Sequence, residues 1–317
     1  MGWIADFWRD EVGAVLTSDN IDGGFDYASI TSVEPWGWDE YLRKKLQKLG
    51  VNDSSLPTSE EIEVLKNLSS RSQYSSLLSA LCKIENTIGE AAYIEKYEEL
   101  CSFLQQGASK FMMKAPWSSS GRGIRLLDER SLAWARKIID TQGGIMVEPY
   151  YINKVKDFAL EFEWKNGTTK YLGLSLFNNS NDGSAYAGNL VASESYKRNL
   201  VSHYVNLSLI DAIRDAIIAE MNTRLKDLTI DTPFGVDMMI LEDAGQYKVH
   251  PCVEVNLRRT MGYVALMVYE NIKSGKIKES IKSKTYNYEE NFVGYFSVDA
   301  FNGKCTIREQ GVESGQW

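Results

Sequence analysis

Apolar residues recur at three- and four-residue steps through the first half of the chain and switch to strict alternation near residue 157. That switch orders the expected elements. WDEYLRKKLQKLG places Trp38, Tyr41, Leu42, Leu46 and Leu49 on one helical face, with Gly50 as its stop. After Pro57, Thr58 and Glu61 form a capping-box pattern ahead of Ile62, Leu65 and Leu68, a stripe that ends at the serines 69 and 70. A third helix, from about Gln73 to Lys83, carries Tyr74, Leu77, Leu78 and Leu81. KFMMKAP reads as a strand. A helix follows over roughly Glu129 to Asp140, closed by Gly143 and Gly144, and IMVEPYY is a short buried strand that stops at Pro149.

The alternating stretch sets Phe158, Leu160, Phe162 and Trp164 on one face, turns at Asn166-Gly167 and returns through Phe177, which predicts a hairpin. A long amphipathic helix carries Ile210, Ile213, Ile217, Met221, Leu225 and Leu228. PFGVDMMILEDAGQYKVHPCVEVNLRR predicts a second hairpin, followed by a helix from about Val264 to Lys273. FSVDAFNGKCTIRE, with Asn302-Gly303, predicts a third hairpin. There is no internal repeat and no low-complexity linker. The changes of period therefore set the expected borders: an N-terminal portion 1–56, a first unit 57–149, a second unit 150–285 and a tail 286–317.

The 317 residues, 44% of them apolar, can bury a substantial core. A net charge of −8 argues against nucleic acid as a partner, so any phosphate site must be local. The four cysteines are far apart and His203 and His250 are the only histidines, so no zinc cluster has the usual spacing. VALMVY at 264–269 is too short to span a bilayer, and the first residues carry acids where a signal peptide needs bases. The expectation is a cytoplasmic protein with reduced thiols and no membrane partner.

Two stretches carry candidate chemistry. KAPWSSSGRGI, residues 114–124, follows a strand lysine with hydroxyls and glycines, a composition that lets backbone N–H groups and serine hydroxyls close around phosphates or simply turns a corner. In the second hairpin, a turn centred on Ala244-Gly245 would put Asp237 opposite Cys252. Asp237, Glu254 and Asn256 would then share one face, with Val236, Met238, Ile240, Val253 and Val255 on the buried one. Two carboxylates and an amide oxygen form a hard oxygen set suited to magnesium; alone, the same alternation also reads as a solvated strand face.

Four features occur in a fixed order: the lysine before a Ser/Gly loop, the VEPY strand, the acid-bearing hairpin and the E-x-N pair. That order resembles the ATP-grasp superfamily, over about residues 57–275. The resemblance implies an α+β fold in which two α+β subdomains hold ATP between them, preceded here by a short α/β portion that reads as a reduced or truncated N-terminal domain. Neither GxxxxGK[ST] nor GxGxxG is present.

The resemblance implies that Lys114 contacts the α- and β-phosphates and that Ser118, Ser119, Ser120, Gly121 and Gly123 belong to the mobile loop over them. Glu148, with the backbone through Tyr150, would meet adenine. Asp157 would reach the ribose hydroxyls, a place that also suits a turn residue. Arg71 would reach the phosphates or stand as an exposed helix charge. Asp237, Glu254 and Asn256 would hold Mg2+, and Arg258 or Arg259 would stabilise the transferring phosphoryl group. Tyr186 and Asn189 are expected near the substrate or the γ-phosphate, or in an exposed hairpin loop. Gly235 departs from the D-alanine ligases, which have an arginine there. The expected activity is ADP-forming activation of a substrate carboxylate as an acylphosphate, then attack by an amine or thiol; the alternatives are a non-catalytic ATP-binding protein and phosphotransfer to a hydroxyl.

Overall fold

The computed structural model describes residues 15–16, 21, 24–105, 110–118, 123–179, 186–274, 294–298 and 305–309. Helix α1 (Glu40–Leu49) starts where the Asp39 side chain accepts from the Leu42 N–H at 2.7 Å, and ends at Gly50, whose φ of 100° only glycine adopts cheaply. Leu46 is buried with Tyr27, Val51 and Leu56, and Trp38, Leu42 and Leu49 pack around them. Tyr41, expected on this face, is 75% exposed. It lies about 100° around the helix from Leu42, off a stripe that positions 38, 42, 46 and 49 already fill. Among the described residues of 1–56 there are one α-helix and two 3-10 turns and no strand.

Helix α2 (Ser59–Leu68) begins with the full capping box: the Glu61 N–H donates to Thr58 Oγ1 and the Thr58 N–H to the Glu61 carboxylate. A 3-10 turn (Arg71–Tyr74) leads into α3 (Ser75–Leu81). The next elements are β1 (Ala92–Ile94), α4 (Tyr97–Gln105), β2 (Phe111–Lys114), β3 (Ile124–Leu126), α5 (Leu132–Gln142) and β4 (Ile145–Pro149). Their strands form an antiparallel sheet in the order β1-β4-β2-β3. Met113, Ile145 and Val147 are buried with Leu100 of α4 and with Ala135 and Ile139 of α5. Strand alternation therefore turns Lys114, Met146 and Glu148 to the other face.

The larger unit comprises β5 (Lys154–Lys165), β6 (Thr168–Asn179), β7 (Tyr186–Val191), α6 (Glu194–Ser202), α7 (Leu207–Arg224), β8 (Thr232–Asp243), β9 (Gln246–Asn256), α8 (Met261–Lys273), β10 (Gly294–Val298) and β11 (Cys305–Glu309). Its antiparallel sheet runs β11-β10-β7-β6-β5-β8-β9. Phe158, Leu160, Phe162 and Trp164 are buried on one face together with Ile210, Ile213, Ile217 and Met221 of α7, as the two periodicities predict. The other face carries Asp157, Ala159 and Glu161, and the first turn of α8 lies against it. The third predicted hairpin is present as paired β10 and β11, with its Asn302-Gly303 turn outside the described residues. The whole is an α+β fold of two sheet-and-helix units.

Both long hairpins turn through two left-handed residues: Asn166 and Gly167 at φ 51° and 74°, Ala244 and Gly245 at φ 51° and 79°. Alanine is the one residue of the four that pays a steric cost there. Ala244→Asn is expected to raise stability by about 0.5–1 kcal/mol, read as a rise in the thermal unfolding midpoint.

The register of β8 and β9 differs from expectation. Pairing runs regularly from Asp243↔Gln246 to Met239↔His250, then resumes at Asp237↔Glu254. Asp237 therefore faces Glu254 rather than Cys252. Pro251, which has no N–H to give the ladder, lies in this irregular stretch. Two extra residues on β9 leave the side-chain parity beyond it unchanged, so Asp237, Glu254 and Asn256 still share a face. Within the bulge the inward place passes to Cys252, which is in the core, while Val253, expected there, is only partly covered.

Candidate functional site

The polar face of the smaller sheet and the acidic face of the larger one meet in a cleft. Lys114 and Glu148 sit on adjacent strands, Glu148 opposite Met112 and so diagonal to Lys114. The ammonium lies 2.5 Å from Glu148 Oε2 and donates to the Val253 carbonyl at 3.1 Å, one residue before Glu254. Lys114 and Glu148 are both buried. The side chain expected beside adenine thus pairs with the lysine, whereas Tyr150 is 41% exposed and its N–H donates to the Lys110 carbonyl.

Arg71 is not an exposed helix charge. It is buried, donates through Nη1 to the Ala115 carbonyl and to Ser118 Oγ, both at 2.6 Å, and through Nη2 to Glu254 Oε1 at 2.7 Å. A single guanidinium therefore joins the serine loop of one unit to the carboxylate of the other. The loop closes on itself: the Ala115 N–H donates to the Gly123 carbonyl, and a Cβ at Gly123 would stand 2.2 Å from Ser118 Cβ. Ser119, Ser120 and Gly121 lie outside the described residues.

On the acidic side, Asn256 Nδ2 donates to Asp237 Oδ2 at 3.1 Å, and Arg258 Nη2 donates to Asn256 Oδ1 at 2.9 Å. Burial first, then the charge of Glu254, pushes the Asp237 carboxyl up to about 7, while Arg258 and Asn256 act the other way. Asp157 adds a smaller repulsion and is itself paired with Lys154 at 2.7 Å. The two arginines have different surroundings. Arg258 faces the metal-ligand candidates, whereas Arg259 is buried, donates to the Pro35 carbonyl, and lies 2.7 Å from Glu34 Oε2. A pocket opens beside Arg71, Met146, Glu148, Val253 and Glu254.

Among the described residues no three His, Cys, Asp or Glu side chains stand close enough together to hold a metal alone. Two carboxylates and the Asn256 amide oxygen remain, a donor set that fits a hard cation completing its shell from phosphate oxygens. Tyr186 and Asn189 bond each other, and Asn189, 1% exposed, also donates to Ser175 Oγ at 2.7 Å. Asn189 is therefore under the face rather than on it.

Two residues of this region were not singled out from sequence. Glu161 is buried on the same sheet face as Asp237, and Thr260 Oγ1 donates to its Oε2 at 2.8 Å. A Cβ at Gly235 would lie 2.9 Å from that same oxygen, so the volume where the resemblance expects an arginine is filled by an acid. The alternation Asp157, Ala159, Glu161 was the available signal.

His250, at the bulge, is fully buried with both ring nitrogens unbonded. Burial, then the Lys114 charge, lowers its pKa to about 3. The native state keeps this imidazole neutral while the unfolded chain takes a proton below about 6.5. Stability is therefore lost as pH falls from about 6.5 toward 3. His250→Leu should remove this term: its stability relative to the parent is expected to rise by about 3 kcal/mol between pH 7 and pH 4, measured by denaturant titration at each pH.

No helix among the described residues is long and apolar enough to cross a membrane. No known family profile matches the sequence, and no curated protein matches it. Among solved structures, it is similar to an N5-carboxyaminoimidazole synthetase from Staphylococcus aureus complexed with ADP, at 14% identity, TM-score 0.49, over 86% of this chain and 66% of that one. It is similar to a phosphoribosylamine–glycine ligase from Thermotoga maritima at 14% identity and TM-score 0.49, over 80% and 64%. A third similarity is to the biotin carboxylase domain of a Hydrogenobacter thermophilus 2-oxoglutarate carboxylase in complex with MgADP, ADP and bicarbonate, at 15% identity and TM-score 0.46, over 84% and 58%. The chain spans about two thirds or less of the length of each, and what it does is read from its own side chains.

Proposed function

We propose that this chain is an ADP-forming ligase of the ATP-grasp type, which binds ATP with magnesium in the cleft and activates a substrate carboxylate as an acylphosphate for attack by an amine or thiol. The observation that carries this reading is the convergence of Lys114, at the Val253 carbonyl, and Arg71, at the Glu254 carboxylate, from one unit on the strand that faces Asp237 in the other. These cationic and acidic groups are more than a hundred residues apart in sequence, and they gather at one cleft.

In this reading Asp237, Glu254 and Asn256 hold magnesium, which when bound neutralises phosphate charge and lowers the barrier to phosphoryl transfer. Lys114 and Arg71 exchange their carboxylate partners for phosphate oxygens, and Ser118, already bonded to Arg71, lies beside them. Glu148, freed of the lysine, faces the nucleotide base beside Met146, and Asp157 reaches the ribose. Arg258 serves the transferring phosphoryl group and Arg259 fixes the turn that carries it. No side-chain nucleophile is required, because positioning and charge neutralisation carry the chemistry. The substrates are small molecules.

The test is a thermal-shift titration with ATP, with and without Mg2+, followed by an ADP-release screen over carboxylates paired with amines or thiols. A magnesium-dependent rise in the unfolding midpoint and acceptor-dependent ADP release are expected. Binding without release across a broad screen would favour a nucleotide-binding protein without catalysis, and a stable, hydroxylamine-resistant phosphorylated product would indicate transfer to a hydroxyl.

A further inference from the structure

Glu161 is a buried acid that the proposed chemistry does not use. It lies in a row across three strands, opposite Gly235 of β8, which is itself opposite Asn256 of β9. A Cβ at Gly262, in the first turn of α8, would stand 2.0 Å from Glu161 Oε1, and one at Gly235 would stand 2.9 Å from Oε2. Two glycines therefore make room for one carboxyl. Thr260 completes the enclosure: its hydroxyl donates to Glu161 and accepts from the Tyr263 N–H at 2.9 Å, so one side chain both meets the acid and caps α8. Burying an acid is unfavourable, and an apolar residue would fill the same volume without that cost. The enclosure ends two residues after Arg258.

We propose that Glu161 is a positioning residue, whose bond to Thr260 holds the turn 257–261 so that Arg258 stays against Asn256 and Asp237 in the site. The assignment of a task to Arg258 rests on the ligase reading; the holding of the turn does not. The charged and polar groups around the carboxyl are consistent with it. Thr260 bonds it and Ser175 of β6 approaches the same Gly262, while Asp237 of β8 repels its charge and Lys197 of α6 and Arg258 attract it. Burial dominates and pushes the Glu161 carboxyl up to about 8, so near neutrality it is largely protonated and adds no second negative charge beside Asp237.

The experiment compares the wild-type chain with Glu161→Gln, Glu161→Leu, Arg258→Ala and the Glu161→Leu/Arg258→Ala double variant. Two quantities are read at one pH: amide hydrogen exchange across residues 257–263 in the free protein, and affinity for a non-hydrolysable ATP analogue with Mg2+. Glu161→Leu should speed exchange in 257–263 about tenfold and leave the rest of β8 and β9 unchanged. Glu161→Leu and Arg258→Ala should each weaken the analogue about tenfold, and the double variant no further than either alone. Glu161→Gln, which keeps an oxygen to accept from Thr260, should restore both the exchange rate of 257–263 and the analogue affinity to the wild-type values. Multiplying losses in the double variant, exchange rising evenly through the sheet, or exchange as fast in Glu161→Gln as in Glu161→Leu would each overturn the proposal. Should Glu161→Leu not fold, the glutamine variant still decides: the wild-type exchange rate in 257–263 supports the proposal and a faster one overturns it. A wild-type chain that binds no analogue would reject the ligase reading alone, and the exchange measurement would still judge the hold on the turn.

Discussion

Glu254→Gln is expected to lower ADP release on the order of 100- to 1,000-fold, the range seen when one preorganised charge-stabilising group is lost from an active site. The substitution keeps the shape of the side chain and removes its charge, so the fold should survive. Glu254 is paired across the cleft with Arg71 at 2.7 Å and lies directly opposite Asp237. It is the only described acid that bonds a cation of the opposite unit while facing a second candidate metal ligand. The loss should fall on turnover and on the magnesium dependence of nucleotide binding together. A thermal midpoint within a few degrees of the parent would separate it from unfolding. Unchanged turnover with an accepted substrate pair would refute the assignment of the site.

Gly262→Ala is expected to destabilise the protein by about 3 kcal/mol, the upper end of the usual cost of overpacking, with a thermal midpoint lower by on the order of 10 °C. The added methyl would stand 2.0 Å from Glu161 Oε1 and 2.5 Å from Ser175 Oγ. Neither neighbour is a flexible surface group, so relief requires moving the start of α8 or the carboxyl. Combining it with Glu161→Ala should restore part of the loss, because the shortened side chain vacates the contested space. If Gly262→Ala melts at the parent temperature, the enclosure around Glu161 is looser than described.

Much of the architecture was legible because periodicity reports which side of an element is covered. The capping box at Thr58 and Glu61, the stop at Gly50, the two turns with paired left-handed residues and the α7 stripe are local signals, each specified within about a dozen residues. The candidate site was legible for a related reason. Alternation survives a bulge of even length, so Asp237, Glu254 and Asn256 stayed together although their partners were misassigned.

The elements left unforeseen, β1, α4, β3, β7 and α6, are short, and several are defined by a neighbouring strand rather than by their own pattern. Glu161 escaped notice because in sequence it resembles the neighbouring acid Glu163, which is only partly buried; only the third dimension shows two glycines and a threonine around it. The separate fates of Arg258 and Arg259 depend on Glu34 and Pro35, more than two hundred residues earlier, and no local rule reaches that far.

The Arg71–Glu254 contact also makes the resting molecule its own competitor. In the proposed reading, an internal guanidinium already satisfies the carboxylate that would hold the divalent ion, so occupancy would proceed as a swap of one positive guest for another. Added salt should then act mainly on the newcomer, because a largely buried pair is screened much less than an exposed one, and uptake measured against ionic strength should decline while the internal pair persists.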